Sequence, residues 1–334
     1  MGKKVRMADI ANVLGISTVT VSKAIAGKEG VSEVLRSKIL DTAAEMGYPL
    51  KPADTPQSEA HQGLIVGIFI SERFVQKNES FYWNMYERVL DKLSTYEMFG
   101  MIEPITRQSE HECTQPRLVQ SGRIQAVILI GSFSLRYIEM IRSIGLPTVH
   151  LDNYDPQAQL DTVISDGYYG TYQLTDYLIQ HGHRDIAYLG RVGATGSITD
   201  RYYGYCRALQ ENTIPLREEW VISDRGDQGQ FQFQMPEKMP TAIVCNCDAV
   251  AYLLIRELNQ RGCRVPDDIS VVCFDDYVYS ELAIPRITAY GVDVDAMALI
   301  CVKQLIRRIQ EPDAKPSFRV VTGYLAEKDS VKQL

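Results

Sequence analysis

Residues 5–48 read VRMADIANVLGISTVTVSKAIAGKEGVSEVLRSKILDTAAEMGY and predict three short helices. Apolar residues recur at helical spacing up to Gly15, which interrupts the pattern, and Ser17 then stands where a helix N-cap is expected. The second helix should turn Val21 inward and end at Gly27, a residue type that favours the left-handed C-cap conformation. A third apolar stripe follows, so the stretch predicts a helix-turn-helix unit whose third helix completes a small core.

The distribution of charge along the chain indicates what this helical unit binds. Residues 1–51 contain eight basic and five acidic side chains, whereas the rest of the chain contains 27 basic and 37 acidic ones. The whole protein has a net charge of −7, so basic character is confined to its first residues. Because attraction to phosphates is local, this distribution favours a DNA-binding unit joined to a larger part that phosphates repel. The helical pattern alone leaves a three-helix protein-interaction module open as an alternative.

From Leu64 onward, short β-rich runs alternate with amphipathic helical patterns. The first half contains LIVGIFI, AVILIG and PTVHLD, and the second half is expected to begin with TVISD and to continue through DIAYLG, WVIS, TAIVCN and ISVVCFDD. Such alternation predicts parallel sheets with helices on both faces. Two successive units of this kind predict two lobes, which a chain of 334 residues is long enough to form.

The composition of the chain indicates the cellular compartment in which the protein is expected. The chain has no run of 18 apolar residues, and no apolar segment follows its basic first residues, so neither a transmembrane helix nor a secretory signal is expected. Its seven cysteines are scattered and odd in number, which favours reduced thiols over disulfides. We therefore expect a cytoplasmic protein that does not associate with membranes.

Several motifs together resemble one protein family. The stretch ADIANVLGISTVTVSKAIAGKEGVSEVLRSKIL, followed by GY and a proline, is similar to the DNA-binding headpiece of the LacI/GalR transcriptional regulators. Further landmarks resemble that family's effector region in the family's order: HGHRDIAYLG, RYYGY, PTAIVCNCDAVA, VPDDISVVCFDD and PRITAYGVDVDAMA. The resemblance implies an all-α helix-turn-helix headpiece before an α/β effector region of two doubly wound parallel-sheet lobes, similar to periplasmic binding proteins.

The resemblance also implies domain boundaries, because in this family the chain crosses between the lobes three times. The expected headpiece is 1–50, the linker or hinge is 51–62, and the effector-binding and dimerisation region is 63–334. Within that region, lobe 1 is expected at about 63–160 and 291–322, and lobe 2 at about 161–290 and 323–334.

Three charged residues are candidate effector contacts. In doubly wound folds the ligand lies beyond the carboxyl ends of the strands. Asp152 follows PTVHLD, Asp275 follows ISVVCF, and Arg201 is expected to open a helix after the loop 191–199. Carboxylates and a guanidinium can hold the hydroxyls of a sugar through charge-assisted hydrogen bonds, and the resemblance favours these three residues for that role. The alternative is that the aspartates cap turns and that Arg201 pairs with one of them.

Four further residues are candidate effector contacts. Phe81 and Tyr82 are expected at the start of the first long helix, where the resembled family places an aromatic ring against the ligand. Aromatic residues at a helix start also pack into cores, and this alternative stays open. Ser71 and Ser132, each directly after a predicted strand, are candidates of the same kind.

The resemblance assigns DNA contacts to the second helix. Positions that read bases in the family are occupied here by Thr18, Val19 and Lys23, while the neighbouring hydroxyl residues Ser17, Thr20 and Ser22 are expected near phosphates or base edges. A lysine can donate to guanine, and Val19 can contact a thymine methyl group. The alternative for Val19 is a place in the small core.

Two positions depart from the family pattern. The linker of the family carries a hinge helix with a leucine that wedges into the minor groove, but KPADTPQSEAHQG has no leucine, and Pro52 and Pro56 disfavour a helix. Cys247 replaces the asparagine that commonly precedes the aspartate, here Asp248. A thiol is a weak hydrogen-bond donor, so one polar effector contact is expected to be missing.

Other chemistry lacks its motifs. The sequence has no G-x-S-x-G elbow, P-loop or G-x-G-x-x-G fingerprint, and its C-x-C and H-G-H pairs lack further ligands, so we expect no enzymatic activity, cofactor or metal. We expect a ligand-responsive repressor of carbohydrate-utilisation genes that binds a palindromic operator as a homodimer under allosteric control by a sugar. Alternatives are a regulator responding to a purine or another non-sugar metabolite and a solute-binding protein without a regulatory role.

Overall fold

The computed structural model describes residues 5–25, 31–32, 35–36, 38–39, 42–43, 46, 48, 61–74, 81–226 and 229–334. The chain divides into two compact units, Met1–Ala60 and His61–Leu334. Most of the predicted linker and the predicted C-cap at Gly27 lie outside the described residues.

The first unit contains the predicted helix-turn-helix. Helix α1 (Met7–Leu14) ends at Gly15, whose φ of +66° is a left-handed conformation that glycine adopts without steric cost. Helix α2 (Thr18–Ile25) begins after Ser17, whose hydroxyl accepts a hydrogen bond from the Thr20 N–H at 3.0 Å. Helical residues between 35 and 43 follow, and the buried core combines all three segments: Ile10, Ala11, Val21, Ala24, Ile39 and Ala43.

The second unit begins with a six-stranded parallel sheet. Its elements are β1 (Ile65–Ser71), α3 (Phe81–Thr95), β2 (Phe99–Ile105), α4 (Arg107–Glu112), α5 (Arg117–Gln120), β3 (Ala126–Ile130), α6 (Leu135–Ser143), β4 (Thr148–Leu151) and β5 (Asp161–Ser165). A short 3₁₀ turn, Glu72–Phe74, follows β1.

A second six-stranded sheet follows in the chain. Its elements are α7 (Gly167–Gln180), β6 (Ile186–Leu189), α8 (Gly196–Glu211), β7 (Val221–Ile222), β8 (Ala242–Cys245), α9 (Asp248–Gln260), β9 (Ser270–Phe274), α10 (Val278–Leu282) and β10 (Thr288–Gly291). The chain then returns to the first lobe as α11 (Val294–Gln310) and β11 (Phe318–Val321), and finally to the second as β12 (Tyr324–Ala326).

Strand order shows two doubly wound lobes, as predicted. The first sheet has the order β11-β5-β4-β3-β1-β2 and the second the order β12-β10-β9-β8-β6-β7. Helices α3 and α11 cover one face of the first sheet and α6 the other, while α9 covers one face of the second sheet and α7 and α8 the other. Burial on both faces explains why a central strand such as AVILI is continuously apolar.

The predicted position of the first lobe crossing is wrong. The strand within TVISD was expected in lobe 2, but β5 pairs with β4 and β11 in the first sheet, so the crossing falls after Ser165. The buried Asp161 carboxylate holds this strand by accepting hydrogen bonds from the Ser317 N–H at 2.8 Å and from Arg308 Nε at 2.7 Å. Both donors belong to the part of the chain that returns to lobe 1, and sequence order alone does not reveal them.

Parallel strands direct their carboxyl ends to one edge of each sheet, which is where doubly wound folds place their ligands. The residues after β4, β7, β8 and β9 lie at this edge of their sheets. None of the described helices combines the length and the apolar character needed to span a lipid bilayer.

Candidate functional site

A cavity of about 440 Å³ lies between the two lobes. The first lobe lines it with Phe74, Phe81, Tyr82 and Asp152, and the second lobe contributes the larger share of the wall. Its volume falls within the range of small-molecule sites, about 300 to 1,000 Å³. We call it the interlobe cavity.

Two aspartates occupy equivalent positions in the two lobes. Asp152 follows β4 and Asp275 follows β9, and both have left-handed backbones, with φ of +63° and +64°. Both are buried, with 6% and 7% of their surface exposed, and both line the interlobe cavity. Non-glycine residues rarely adopt this conformation, and such strain concentrates at functional sites.

Arg201 joins the Asp275 side of the cavity. Its Nη2 lies 3.4 Å from Asp275 Oδ1, its Nη1 donates to the Asn246 carbonyl at 2.7 Å, and its guanidinium carbon lies 3.9 Å from the centre of the Phe274 ring. The Arg201 Nε atom is buried and has no hydrogen-bond partner among the described residues. The ion pair with Asp275 is the alternative that the sequence left open for Arg201, and its contact with an effector stays a prediction.

The helix that carries Arg201 begins earlier than predicted. Arg201 was expected to open it, but α8 starts at Gly196, where the Thr195 hydroxyl accepts a hydrogen bond from the Ile198 N–H at 3.2 Å. Arg201 therefore lies in the second turn.

Burial governs the charges of the cavity. It raises the pKa of Asp152 to about 7, although the nearby Arg201 guanidinium opposes this change. Burial likewise raises the pKa of Asp275, again opposed by Arg201, and raises the pKa of Asp248 to about 7. The pKa of the Tyr82 hydroxyl is raised mainly by burial, and the nearby Asp152 carboxylate raises it further. The cavity thus contains carboxyl groups that are partly neutral at physiological pH.

Aromatic rings form the wall contributed by the first lobe. Phe81 and Tyr82 begin α3, as predicted, and line the cavity, while their contact with a ligand stays a prediction. Phe74, which the sequence analysis missed, packs on Tyr82 with ring centres 4.3 Å apart. The apolar pattern gave no signal for Phe74 because it lies in a turn after β1 rather than in a regular element.

The structure does not bring Ser71 and Ser132 into the cavity lining. Ser71 is fully buried at the end of β1, and Ser132 is half-buried after β3. The Phe74 and Tyr82 rings pack closely over Gly131, and a Cβ atom there would lie 3.0 Å from each ring. These rings therefore cover the end of β3, directly before Ser132.

Most cavity residues of the second lobe were missed, and three of them show why. Arg225 follows β7, Asn246 follows β8, and Phe231 forms a backbone bridge with Arg225. The strand-end rule that indicated Asp152 also applies to Arg225 and Asn246, so a signal was present. Phe231 belongs to an irregular segment and had none.

The histidine and cysteine pairs considered as metal ligands make other contacts or are buried. His183 contacts the Thr241 hydroxyl through Nδ1 at 3.0 Å and the Lys332 carbonyl through Nε2 at 3.3 Å. Among the residues that the structure describes, no group of three or more potential ligands is placed to hold a metal ion. Cys247 lines the interlobe cavity, and burial raises the pKa of its thiol to about 12.

Helix α2 presents its predicted DNA-contact residues outward. Thr18, Ser22 and Lys23 are exposed, and 63% of the Val19 surface is exposed, so Val19 does not belong to the core. Exposed Ser17 and half-buried Thr20 join their hydroxyls at 2.8 Å. This exposed set combines hydroxyl groups, one lysine and one apolar side chain, which is the chemistry needed to contact phosphates and base edges.

Comparison with known proteins relates both units to characterised ones. Residues 6–49 match the family model "Bacterial regulatory proteins, lacI family", and residues 175–331 match the model "Periplasmic binding protein-like domain". The "Probable HTH-type transcriptional repressor ExuR" of Bacillus subtilis (strain 168) is 27% identical to this chain, and the alignment covers 99% of each protein. The HTH-type transcriptional regulator RegA of Clostridium saccharobutylicum is 28% identical over 96% of this chain and 98% of its own length.

Two solved structures share the fold over nearly the whole chain. The transcriptional regulator CelR in complex with cellobiose has a TM-score of 0.68 at 22% identity, covering 98% of this chain and all of its own. The lac repressor dimer bound to operator and the anti-inducer ONPF has a TM-score of 0.65 at 21% identity, covering 99% of this chain and all of its own. End-to-end agreement with these proteins joins the helix-turn-helix and the two-lobed unit in one architecture. The chain contains a lacI-family helix-turn-helix domain and a periplasmic-binding-protein-like domain, and it is a DNA-binding transcriptional regulator similar to the HTH-type repressors with which it aligns.

Proposed function

We propose that this regulator is a repressor of carbohydrate-utilisation genes whose affinity for operator DNA is controlled by a sugar in the interlobe cavity. The observation that carries the proposal is the convergence of Asp152 and Asp275, one from each lobe, on a cavity that also contains Arg201 and an aromatic wall. Carboxylates, a guanidinium and aromatic rings are the groups with which proteins bind polyhydroxylated ligands.

Each proposed effector contact has a distinct role. Asp152 and Asp275 accept hydrogen bonds from sugar hydroxyls, and the Arg201 guanidinium, which lines the cavity, donates to a ring or hydroxyl oxygen. Phe81 and Tyr82 pack on the apolar C–H face of the ring. A neighbour in fold, CelR, is described as a complex with cellobiose, which supports a sugar.

The DNA contacts follow from the exposed face of α2. Lys23 donates to guanine acceptors, Val19 covers a thymine methyl group, and Thr18 contacts a neighbouring base edge. Ser17, Thr20 and Ser22 contact phosphates or the edges of the bases beside them. One such unit buries little surface, so we propose that a homodimer presents two units to a palindromic operator.

Control of DNA affinity requires that the ligand favour one arrangement of the two lobes. Asp152 and Arg201 belong to different lobes, so a ligand that contacts both stabilises the closed arrangement. We place the protein in the cytoplasm because operator DNA is its partner, and we assign it no catalytic role. A purine is the alternative effector, because the aromatic wall also suits a planar base.

The experiment is a thermal-shift screen of the full chain with neutral sugars, sugar acids, sugar phosphates and purines, followed by operator titrations with each stabilising compound. A ligand that binds the folded state raises the melting temperature. We expect a sugar-type compound to stabilise the protein and to change operator affinity, and we expect Asp275→Asn to weaken both effects. Stabilisation by purines alone would replace the sugar with the alternative effector. A tight ligand without effect on operator affinity would overturn the proposal.

A further inference from the structure

Arg225 is a cation of the interlobe cavity that a buried carboxylate holds in place. Its Nε and Nη2 atoms donate to the two oxygens of Asp224 at 2.9 and 2.6 Å. Asp224 is fully buried and also accepts hydrogen bonds from the Arg191 N–H at 2.8 Å and from the Asn246 side-chain amide at 3.1 Å. Four donors therefore fix the carboxylate, and the carboxylate fixes one edge of the guanidinium.

The opposite edge of Arg225 is available to a ligand. The Nη1 atom makes no hydrogen bond with any described residue, although a guanidinium has five N–H donors. The side chain keeps 21% of its surface exposed and lines the cavity, with the Phe231 ring 5.5 Å from its guanidinium carbon. A planar cation fixed on one edge and open on the other is prepared to bind an oxyanion.

Arg256 adds a positive charge to the same cavity. It projects from α9 one turn after Tyr252, and its guanidinium carbon lies 6.0 Å from the centre of that ring. Whereas Arg201 pairs with Asp275 and Arg225 with Asp224, Arg256 forms no ion pair with a carboxylate among the described residues. Burial also raises the pKa of Asp152 to about 7, which reduces the negative charge opposing an anion near neutral pH.

We propose that the ligand carries an anionic group, a carboxylate or a phosphate, which Arg225 binds through its Nη1 edge while Arg256 supplies a second positive charge. The hydroxyls of the same ligand contact Asp152, Arg201 and Asp275. This inference rests on the proposed function and specifies the chemical class of its ligand. A neutral sugar would leave the Nη1 edge of Arg225, whose side chain is 21% exposed, without an anionic partner.

The test compares ligands that share a sugar ring and differ at one carbon. Calorimetric titration of the full chain uses glucose, glucuronate and glucose 6-phosphate, and then galactose and galacturonate. We expect at least one anionic member to bind about 10-fold to 100-fold more tightly than its neutral parent, the effect of one charge-assisted hydrogen bond. The carboxylate and phosphate arms show which anion the cavity accepts.

Substitutions of Arg225 test whether this residue causes the preference for the anionic ligand. We expect Arg225→Gln to abolish the preference for the anionic member and Arg225→Lys, which keeps the charge, to retain part of it. Arg217→Gln is the matched control, because Arg217 pairs with Asp185 and does not line the cavity. Since Arg225→Gln leaves the Asp224 carboxylate without its cation, the double variant Asp224→Asn with Arg225→Gln tests the same loss in a protein without that buried charge.

Three results would overturn the anionic subsite: a neutral sugar that binds at least as tightly as its anionic counterpart, no melting-temperature rise with any of the anionic sugars at millimolar concentration, or an unchanged preference in Arg225→Gln. A neutral sugar that still alters operator affinity would leave the proposed function intact. Conversely, an anionic sugar that binds through Arg225 without altering operator affinity would support the subsite and overturn the proposed function.

Discussion

Asp275→Asn is the substitution whose consequence follows most closely from the geometry. Asparagine keeps the shape of the side chain but removes the charge that balances buried Arg201, 3.4 Å away. Loss of one partner of a buried ion pair costs about 3 to 5 kcal/mol. The cost here should be smaller, because Arg201 keeps its 2.7 Å bond to the Asn246 carbonyl and its contact with the Phe274 ring.

Two further effects reduce the loss of stability expected for Asp275→Asn. The 3.4 Å separation exceeds the 2.7 to 2.9 Å of a strong charge-assisted hydrogen bond, so the pair is of moderate strength. The substitution also removes a buried charge near Asp248, whose pKa Asp275 helps to raise. We therefore expect a loss of about 1 to 3 kcal/mol in the free energy of unfolding. A loss of that size lowers the melting temperature by roughly 2 to 10 °C in a unit of this length.

Thermal unfolding followed by calorimetry or circular dichroism measures this change in the ligand-free protein. The matched control is Asp329→Asn, which makes the same chemical change in an exposed pair with Arg286 and should leave the midpoint nearly unchanged. An Asp275→Asn protein as stable as the parent, or more stable, would refute the reasoning that this carboxylate balances Arg201.

Three other substitutions test separate parts of the account. Lys23→Ala should weaken binding to a cognate half-site more than binding to a scrambled duplex in anisotropy titrations, and an equal loss on both would reduce Lys23 to a phosphate contact. Because burial raises the pKa of Asp152 to about 7, the folded state holds its proton more tightly than the unfolded state, and the stability from this group falls as pH rises from about 4 to 7. Asp152→Asn should thus gain stability relative to the parent across that pH range in melting curves, and a constant difference would contradict the raised pKa. Asp161→Ala should lower the melting temperature through the loss of about 3 to 5 kcal/mol, since Arg308 loses its buried partner. A change no larger than that of Asp329→Asn would show that Asp161 does not hold β5.

The sequence predicted the helix-turn-helix and the two lobes because their signals are local. Gly15 indicates the end of one helix, and Ser17, two residues later, indicates the start of the next. Buried parallel strands are recognisable as continuous apolar runs. The assignment of β5 failed because its lobe is decided by Arg308 and Ser317, far along the chain.

The candidate site was predictable where its residues come directly after a strand. Asp152 and Asp275 were found in this way, and Arg225 offered the same signal. Ser132 satisfied the rule too but does not line the cavity, and the Phe74 and Tyr82 rings pack over Gly131, the residue before it. Which strand-end residues reach the ligand depends on the bulk of side chains from other segments, and a strand pattern does not contain that information.

The most direct test of the account is an operator titration with and without ligand at one fixed salt concentration. A duplex selected from a random palindromic library is titrated with the full chain, alone and saturated with the compound that stabilises it most in the thermal screen. The account predicts a change in operator affinity of about 5-fold to 150-fold, corresponding to a coupling of about 1 to 3 kcal/mol. An operator affinity that is the same with and without the bound ligand would contradict it.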